Sequence, residues 1–598
     1  MANTAEYLPH SVNVDKREDG TVILSSGLEL GPVVKNTGEW LHRWAKEAPD
    51  RVFIAERDGA GWREVTYGET LARVRAVAAA LLARGLGPDK PVVVLSGPSV
   101  DHAILTLAAQ YIGAPTVPLA EQYSLIPEAR GRLRYCVNKV HPTMVFAADG
   151  AVYNDALNLD IFDGVVKVVS KNTGDGQITF ADLEAGDDSA DVDAAHAGVD
   201  HDTLAKILFT SGSTSDPKGV PQTQKMMCVN QAQYSACLPV LGRKVHKMLD
   251  WLPWNHVFAG NSNFNMILCN GGSLYLDDGK PAGPLAARTI ENMHAHTGSL
   301  CFDVPVAHAM QVAEMKKDPA LRRRYFRELE VFFYAGASLP KDVWAAIEEM
   351  AIEELGEMPM MMSSWGMTET APSALIYHEK GAASGMIGVP VPELEVKLIP
   401  VGDNRYELRV RGPNVIDGYY KDEQRSKESF DEDGFFLTGD AVMFADPGDA
   451  SRGLIFDGRI GEDFKLMTGT WVQASTMRLN ALAAVSGLVQ DLIIVGEGRN
   501  EVGIFVFPPA GRQLQKTGGV ITDPGYAAEL KAVMQDLAKG ATGSSNRITR
   551  AIVLAEPPHV GDGEITAKGS LNVRAILSRR KAIFERLYDD ADPAVIHI

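Results

Sequence analysis

The chain is 598 residues long, 45% hydrophobic and 23% charged, which argues for several packed domains and against a disordered polymer. Its 58 basic and 77 acidic residues leave a net charge of −19, a field that repels phosphate backbones and anionic headgroups. Coating of nucleic acid and binding to a membrane surface are therefore not expected, and any nucleotide must be held by a local site.

The first residues, Met-Ala-Asn-Thr-Ala-Glu-Tyr, lack the basic and apolar regions of a signal peptide. The apolar run Pro91–Ser96 meets Gly97, Pro98 and Asp101 too soon to span a membrane. Cys136, Cys228, Cys237, Cys269 and Cys301 show no CxxC spacing, so neither a disulfide framework nor a zinc cluster is predicted. The expectation is a soluble cytoplasmic protein, monomer or homodimer.

In chain order, Pro91–Leu95 reads as a strand, Asp101–Ile112 as a helix and Ala114–Leu119 as a strand. Ala185–Asp202 is acidic and reads as a surface connection. Lys206–Phe209, Lys247–Leu252, Ser273–Leu276 and Leu329–Tyr334 add strands between helical stretches, an alternation that predicts an α/β architecture with mainly parallel sheets. Near residue 390 the pattern changes: Leu394–Pro400, the turn Gly402-Asp403-Asn404 and Tyr406–Val410 read as a hairpin, and Leu454–Asp457 continues a small barrel-like β subdomain. After Gly461 come strands at Leu488–Val495, Val502–Phe507 and Ala551–Leu554, a helix at Tyr526–Leu537 and an amphipathic helix at Leu571–Leu587, together a compact α+β unit.

The segment from Leu208 to Val220 runs from a strand into Thr210-Ser211-Gly212-Ser213-Thr214-Ser215-Asp216-Pro217-Lys218-Gly219. Glycine allows close backbone approach, hydroxyls and N–H groups donate to phosphate oxygens, and the lysine adds charge. Such composition also suits an ordinary surface loop, and the order is not that of a Walker A loop. Further motifs follow: Trp251-Leu252-Pro253-Trp254-Asn255-His256, Tyr334-Ala335-Gly336-Ala337-Ser338-Leu339-Pro340, Ser364-Trp365-Gly366-Met367-Thr368-Glu369, Leu437-Thr438-Gly439-Asp440, Asp457-Gly458-Arg459 and Glu564-Ile565-Thr566-Ala567-Lys568-Gly569. Read singly, each has a plainer meaning: the Met-rich run before Trp365 suits a buried strand, Thr-Gly-Asp a turn, and a lone His256 a structural histidine.

Together and in this order the motifs resemble the adenylate-forming superfamily, which includes acyl-CoA synthetases, non-ribosomal adenylation domains and firefly-type luciferases. The resemblance implies a large multi-lobed N-terminal domain over residues 1–459, with two α/β sheets and the barrel-like subdomain. A small mobile α+β domain over 460–598 would follow a hinge near Gly461 or Glu462. It implies a phosphate loop from Thr210, Ser211, Gly212, Ser213, Thr214 and Lys218. By the same resemblance Gly336 and Ala337 would lie against adenine, with Ser338, Trp365, Gly366 and Met367 beside the nucleotide. Asp440 and Arg459 would hold the ribose, Thr368 would meet a phosphate, and Glu369 would bind Mg²⁺. His256 would line the carboxylate entrance, Lys568 would reach across the domain interface during adenylation, and Gly469 would belong to a loop, Phe464–Val472, along the pantetheine tunnel. ATP, Mg²⁺, coenzyme A and a carboxylic acid are the implied ligands.

Two features depart from the commonest pattern: Lys568 sits in Ala567-Lys568-Gly569 rather than in Gly-Lys-Ile/Leu-x-Arg, and one extra residue separates Arg459 from Gly469. Leu119–Leu125 and Glu564–Leu571 with Asn572-Val573-Arg574 most resemble bacterial feruloyl-CoA synthetases, in which Phe258, Ser262, Gly336 and Met367 would line an aromatic pocket. The same motifs leave open a fatty acyl-CoA or acyl-AMP ligase, a luciferase-type oxygenase, and an inactive nucleotide-binding regulator.

Overall fold

The computed structural model describes residues 7–186, 191–210, 216–281, 283–335, 339–402, 404–485, 487–509, 511–541, 543–559, 562–565 and 571–598. Unbroken apolar runs become buried parallel strands, as their composition demands. A seven-stranded sheet runs Lys218–Thr223, Leu204–Thr210, Thr116–Pro118, Val92–Val94, Met144–Asp149, Val166–Lys171 and Gln177–Thr179, and only its first strand is antiparallel to its neighbour. Val92 and Val94 point into one apolar cluster and Val93 and Leu95 into another, so both faces are covered. The helix Val100–Tyr111 starts where Ser99 accepts from the backbone N–H of His102.

A second sheet has eleven strands. Leu300–Asp303, Val331–Tyr334 and Met360–Gly366 are parallel, and Ser373–Tyr377, Met386–Pro390, Leu454–Arg459, Phe436–Phe444, Arg405–Arg411 and Glu395–Gly402 continue it antiparallel. The barrel-like subdomain is thus bonded into the same strand order as the parallel strands rather than standing apart. Val22–Ser26 and Val12–Lys16 complete that edge. A four-stranded sheet, Lys247–Asp250, Ser273–Leu276, Val52–Asp58 and Gly61–Thr66, completes the large lobe. No helix among the described residues is long and apolar enough to cross a membrane.

From Phe464 onward the chain builds cores of its own, around Leu492, Ile504, Val506, Leu530 and Val553 and around Ile493, Phe505, Ile552 and Ile576. Their scaffold is the sheet Asp491–Val495, Val502–Phe507, Ile548–Val553 and Ile596–His597. The fold is therefore mixed α/β with a large N-terminal domain and a smaller C-terminal one.

Three expectations change. The helix read over Leu571–Leu587 is two, Val573–Arg579 and Lys581–Leu587. The break falls at Arg580, whose buried guanidinium reaches both carboxylate oxygens of Glu564 and the carbonyls of Glu556 and Pro557. The acidic connection contains a short helix, Val192–Ala197, begun by Asp191 accepting from the N–H of Ala194. The strand read from Leu488 starts only at Asp491, after a loop in which the Leu488 carbonyl accepts from Tyr526.

Candidate active site

The Leu204–Thr210 and Lys218–Thr223 strands form a hairpin with Thr210 opposite Lys218, so the phosphate-loop motif is the connection between them. Of that motif, Ser211, Gly212, Ser213 and Thr214 lie outside the described residues, as do Gly336, Ala337, Ser338 and Lys568. Thr210 and Lys218 face a cavity of about 2630 Å³ between the large and small domains. His256, Phe258, Trp365, Gly366, Met367, Thr368, Glu369, Asp440 and Arg459 line the same cavity.

Glu369 follows the Met360–Gly366 strand in a tight turn, Thr368–Thr370, and is 5% exposed. Its Oε1 accepts from the hydroxyl of Tyr419 (2.8 Å), and the ring of that tyrosine lies 5.0 Å below the Lys218 ammonium. Burial lowers the Lys218 pKa, and the charge of Glu369 works against that shift. Burial and Glu369 together raise the Tyr419 phenol. Lysine, phenol and carboxylate thus form one cluster beside the hairpin.

A second cluster sits at Asp440, just after Thr438 and Gly439 bulge out of the Phe436–Phe444 strand, with Gly439 at φ +73° in the region that favours glycine. The indole N–H of Trp365 donates to Oδ2 of Asp440 (2.9 Å), and Arg459, its partner on the next strand, brings Nε to 3.2 Å of Oδ1.

Ser262 is a correction. It is fully buried and donates to the hydroxyl of Tyr234 (3.0 Å), which in turn shares a hydrogen with Ser373 (2.5 Å). The cavity wall there is Tyr234 and Ser373. Phe258 and Ser262 belong to one π-helical turn, Phe258–Asn263, but only Phe258 reaches the cavity, and Ser262 lies behind Tyr234. Gly469 lies at the exposed tip of the hairpin formed by Phe464–Lys465 and Trp471–Val472, outside the cavity lining.

Sequence reasoning passed over three contributors. Tyr419 gave no signal beyond its place in Gly418-Tyr419-Tyr420. Arg405 grips Asp457 (2.5 Å) and Asp463 (2.7 Å) on either side of the turn Ile460–Glu462. Lys206 is 4% exposed within an apolar strand, and a charge inside such a run was the available clue.

Residues 41–420 match the AMP-binding enzyme family, and residues 464–592 match the AMP-binding enzyme C-terminal domain. The chain belongs to the AMP-binding enzyme family. It is 24% identical over 606 residues to the long-chain-fatty-acid–CoA ligase FadD15 of Mycobacterium bovis, covering 93% of this chain and 97% of that one. It is 25% identical over 446 residues to luciferin 4-monooxygenase of Photinus pyralis, covering 71% and 77%. The fold matches the anthranilate CoA ligase AuaEII in complex with anthranoyl-AMP, with TM-score 0.72 at 17% identity over 93% and 99% of the two chains. The family match and the ligases among these relatives support an AMP-forming acid–CoA ligase.

Proposed function

We propose that this AMP-binding enzyme activates a carboxylic acid with ATP and transfers the acyl group to coenzyme A. The observation that carries the reading is the meeting of the Lys218–Tyr419–Glu369 cluster and the Trp365–Asp440–Arg459 cluster in one cavity with His256 and Phe258. In the first step the acid's carboxylate oxygen bonds to the α-phosphorus of ATP and the bond to pyrophosphate breaks. In the second the thiol attacks the acyl carbon, AMP leaves and the thiol proton passes to solvent.

Lys218 and the hairpin loop hold phosphates, Asp440 accepts from the ribose, and Lys568 neutralises charge where two anions must meet. A hard cation fits this site, because Glu369 offers a carboxylate and Thr368 a hydroxyl beside it. Bound there, Mg²⁺ would neutralise phosphate charge. The division after Arg459, with the hinge near Gly461, belongs to the same proposal, as does a cytoplasmic location. Asp440→Asn is expected to raise KM for ATP about ten- to hundredfold with little change in kcat, since a charged hydrogen bond contributes about 1.5–3 kcal/mol. An unchanged KM would move the ribose site elsewhere.

For the acid we propose ferulate or a related hydroxycinnamate. Support comes from the resemblance of Leu119–Leu125 and Glu564–Arg574, and from the aromatic walls that Phe258, Tyr234 and Tyr334 give the cavity. The fatty acyl-CoA ligases among the relatives favour a second reading, a fatty acid. Mass-spectrometric detection of thioester from ferulate, 4-coumarate, benzoate and octanoate decides between them. Ferulate and coumarate are expected to lead; octanoate leading would end the hydroxycinnamate reading and leave the ligase intact.

A further inference from the structure

Behind the wall that carries His256 and Phe258, a chain of buried polar groups takes no part in the proposed chemistry. The Lys206 ammonium donates to the carbonyl of Gly260 and to Oδ1 of Asn261 (3.2 Å). Asn261, 0% exposed, donates from Nδ2 to Oε1 of Gln222 (2.8 Å). Gln222, also 0% exposed, donates from Nε2 to the carbonyls of Thr368 (2.9 Å) and Pro221 (2.9 Å). The chain of bonds therefore runs from the π-helical turn Phe258–Asn263 to the turn that carries Glu369.

Its root is rigid. Lys206 and Gln222 stand directly opposite each other in the antiparallel pair whose other end holds Thr210 opposite Lys218. Gly260 lies so close to Trp254 that a side chain would strike the Trp254 carbonyl, which leaves the π turn no room to slide. Buried amides and a buried amine cost folding free energy unless each finds partners, and here each link supplies the next. Burial pulls the Lys206 pKa down to about 7. A hydrophobic filling of the same space would cost less, so this arrangement points to a need for fixed geometry.

We propose that Lys206, Asn261 and Gln222 are positioning residues that hold the acid-pocket wall at one offset from the Thr368–Glu369 turn, so that the carboxylate meets the α-phosphorus in line. The proposal rests on the ligase reading above. Acid-dependent pyrophosphate exchange and thermal unfolding of the full-length enzyme test it, in wild type, Gln222→Met, Asn261→Asp and the double variant. Asn261→Asp is isosteric, keeps a partner for Lys206 and puts a carboxylate oxygen where the donor to Gln222 stood, so it carries the test if Gln222→Met does not fold.

Each single variant is expected to lose about ten- to hundredfold in kcat, the scale of a reacting-group misplacement near 1 Å. KM for acid and for ATP should stay within about threefold, and the double variant should be no slower than the slower single, as for residues acting as a unit. Wild-type exchange with unchanged kcat in the variants overturns the relay, as does a lower melting temperature with kcat intact or losses that multiply. No exchange by wild type with any acid would remove the ligase reading and this proposal with it.

Discussion

The Lys568→Ala enzyme is expected to lose about 10²–10³ of its pyrophosphate-exchange rate while converting a supplied acyl-adenylate to thioester at close to the wild-type rate. The asymmetry follows from the two steps. Adenylation brings a carboxylate against a phosphate, and a cation in a dry cleft lowers that barrier; thiol attack on a mixed anhydride has no such clash. Lys568 itself lies outside the described residues, but the chain on either side of it is placed. Ile565 bridges to Leu571, the N–H of Asn572 donates to the Glu564 carbonyl (2.8 Å), and Leu571 and Asn572 line the cavity. Measuring both half-reactions separately checks the assignment. Equal loss in each would mean that another group supplies the charge.

Arg580→Ala is expected to destabilise the C-terminal domain by about 3–5 kcal/mol, the cost of leaving one member of a buried ion pair behind. Glu564 is 0% and Arg580 5% exposed, joined by two hydrogen bonds of 2.8 and 2.7 Å. Burial pushes the Glu564 carboxyl upward, but Arg580, the N–H of His559 and Arg579 together hold it below its usual range. A depressed carboxyl pKa contributes stability above the unfolded value, about 4.3, and loses it as pH falls through the folded value. Without Arg580 burial is opposed only by the N–H of His559 and by Arg579, so the acid limb of stability should move to higher pH. Urea unfolding between pH 3 and 7 reads both effects. A variant with wild-type stability and an unshifted acid limb would show that the pair contributes nothing.

How far the molecule could be read in advance varies with the range of the forces involved. The runs at Pro91–Leu95, Lys206–Phe209 and Ser273–Leu276 declared themselves because a strand covered on both faces is mostly apolar. The pairing of Val22–Ser26 with Glu395–Gly402 did not, since local periodicity carries no information about distant partners. Among the site residues that the structure describes, Lys218, Glu369 and Asp440 sit at loops and bulges where small, polar and charged types cluster. Ser262 misled because nearness to Phe258 in sequence does not say which side chains reach the cavity and which are buried behind its wall. Lys206, Asn261 and Gln222 escaped notice because burial of polar groups runs against composition, and only the fold shows that they satisfy one another.

Arg405 has a consequence for how the small lobe would turn about the proposed hinge near Gly461. It belongs to a strand of the large lobe, yet it ties down Asp457 and Asp463 on both sides of Gly461, and Thr476 anchors Asp457 from the small lobe (2.8 Å). A turn about Gly461 must therefore break the Thr476–Asp457 bond and the contacts of Ser475 with Arg459 and Glu462. Reorientation has to come from torsion about a few backbone bonds rather than from a loose tether, and a lobe turning on so short an axle sweeps an arc instead of drifting away. The active cleft would then exchange one closed partner surface for another with little time spent open to bulk water.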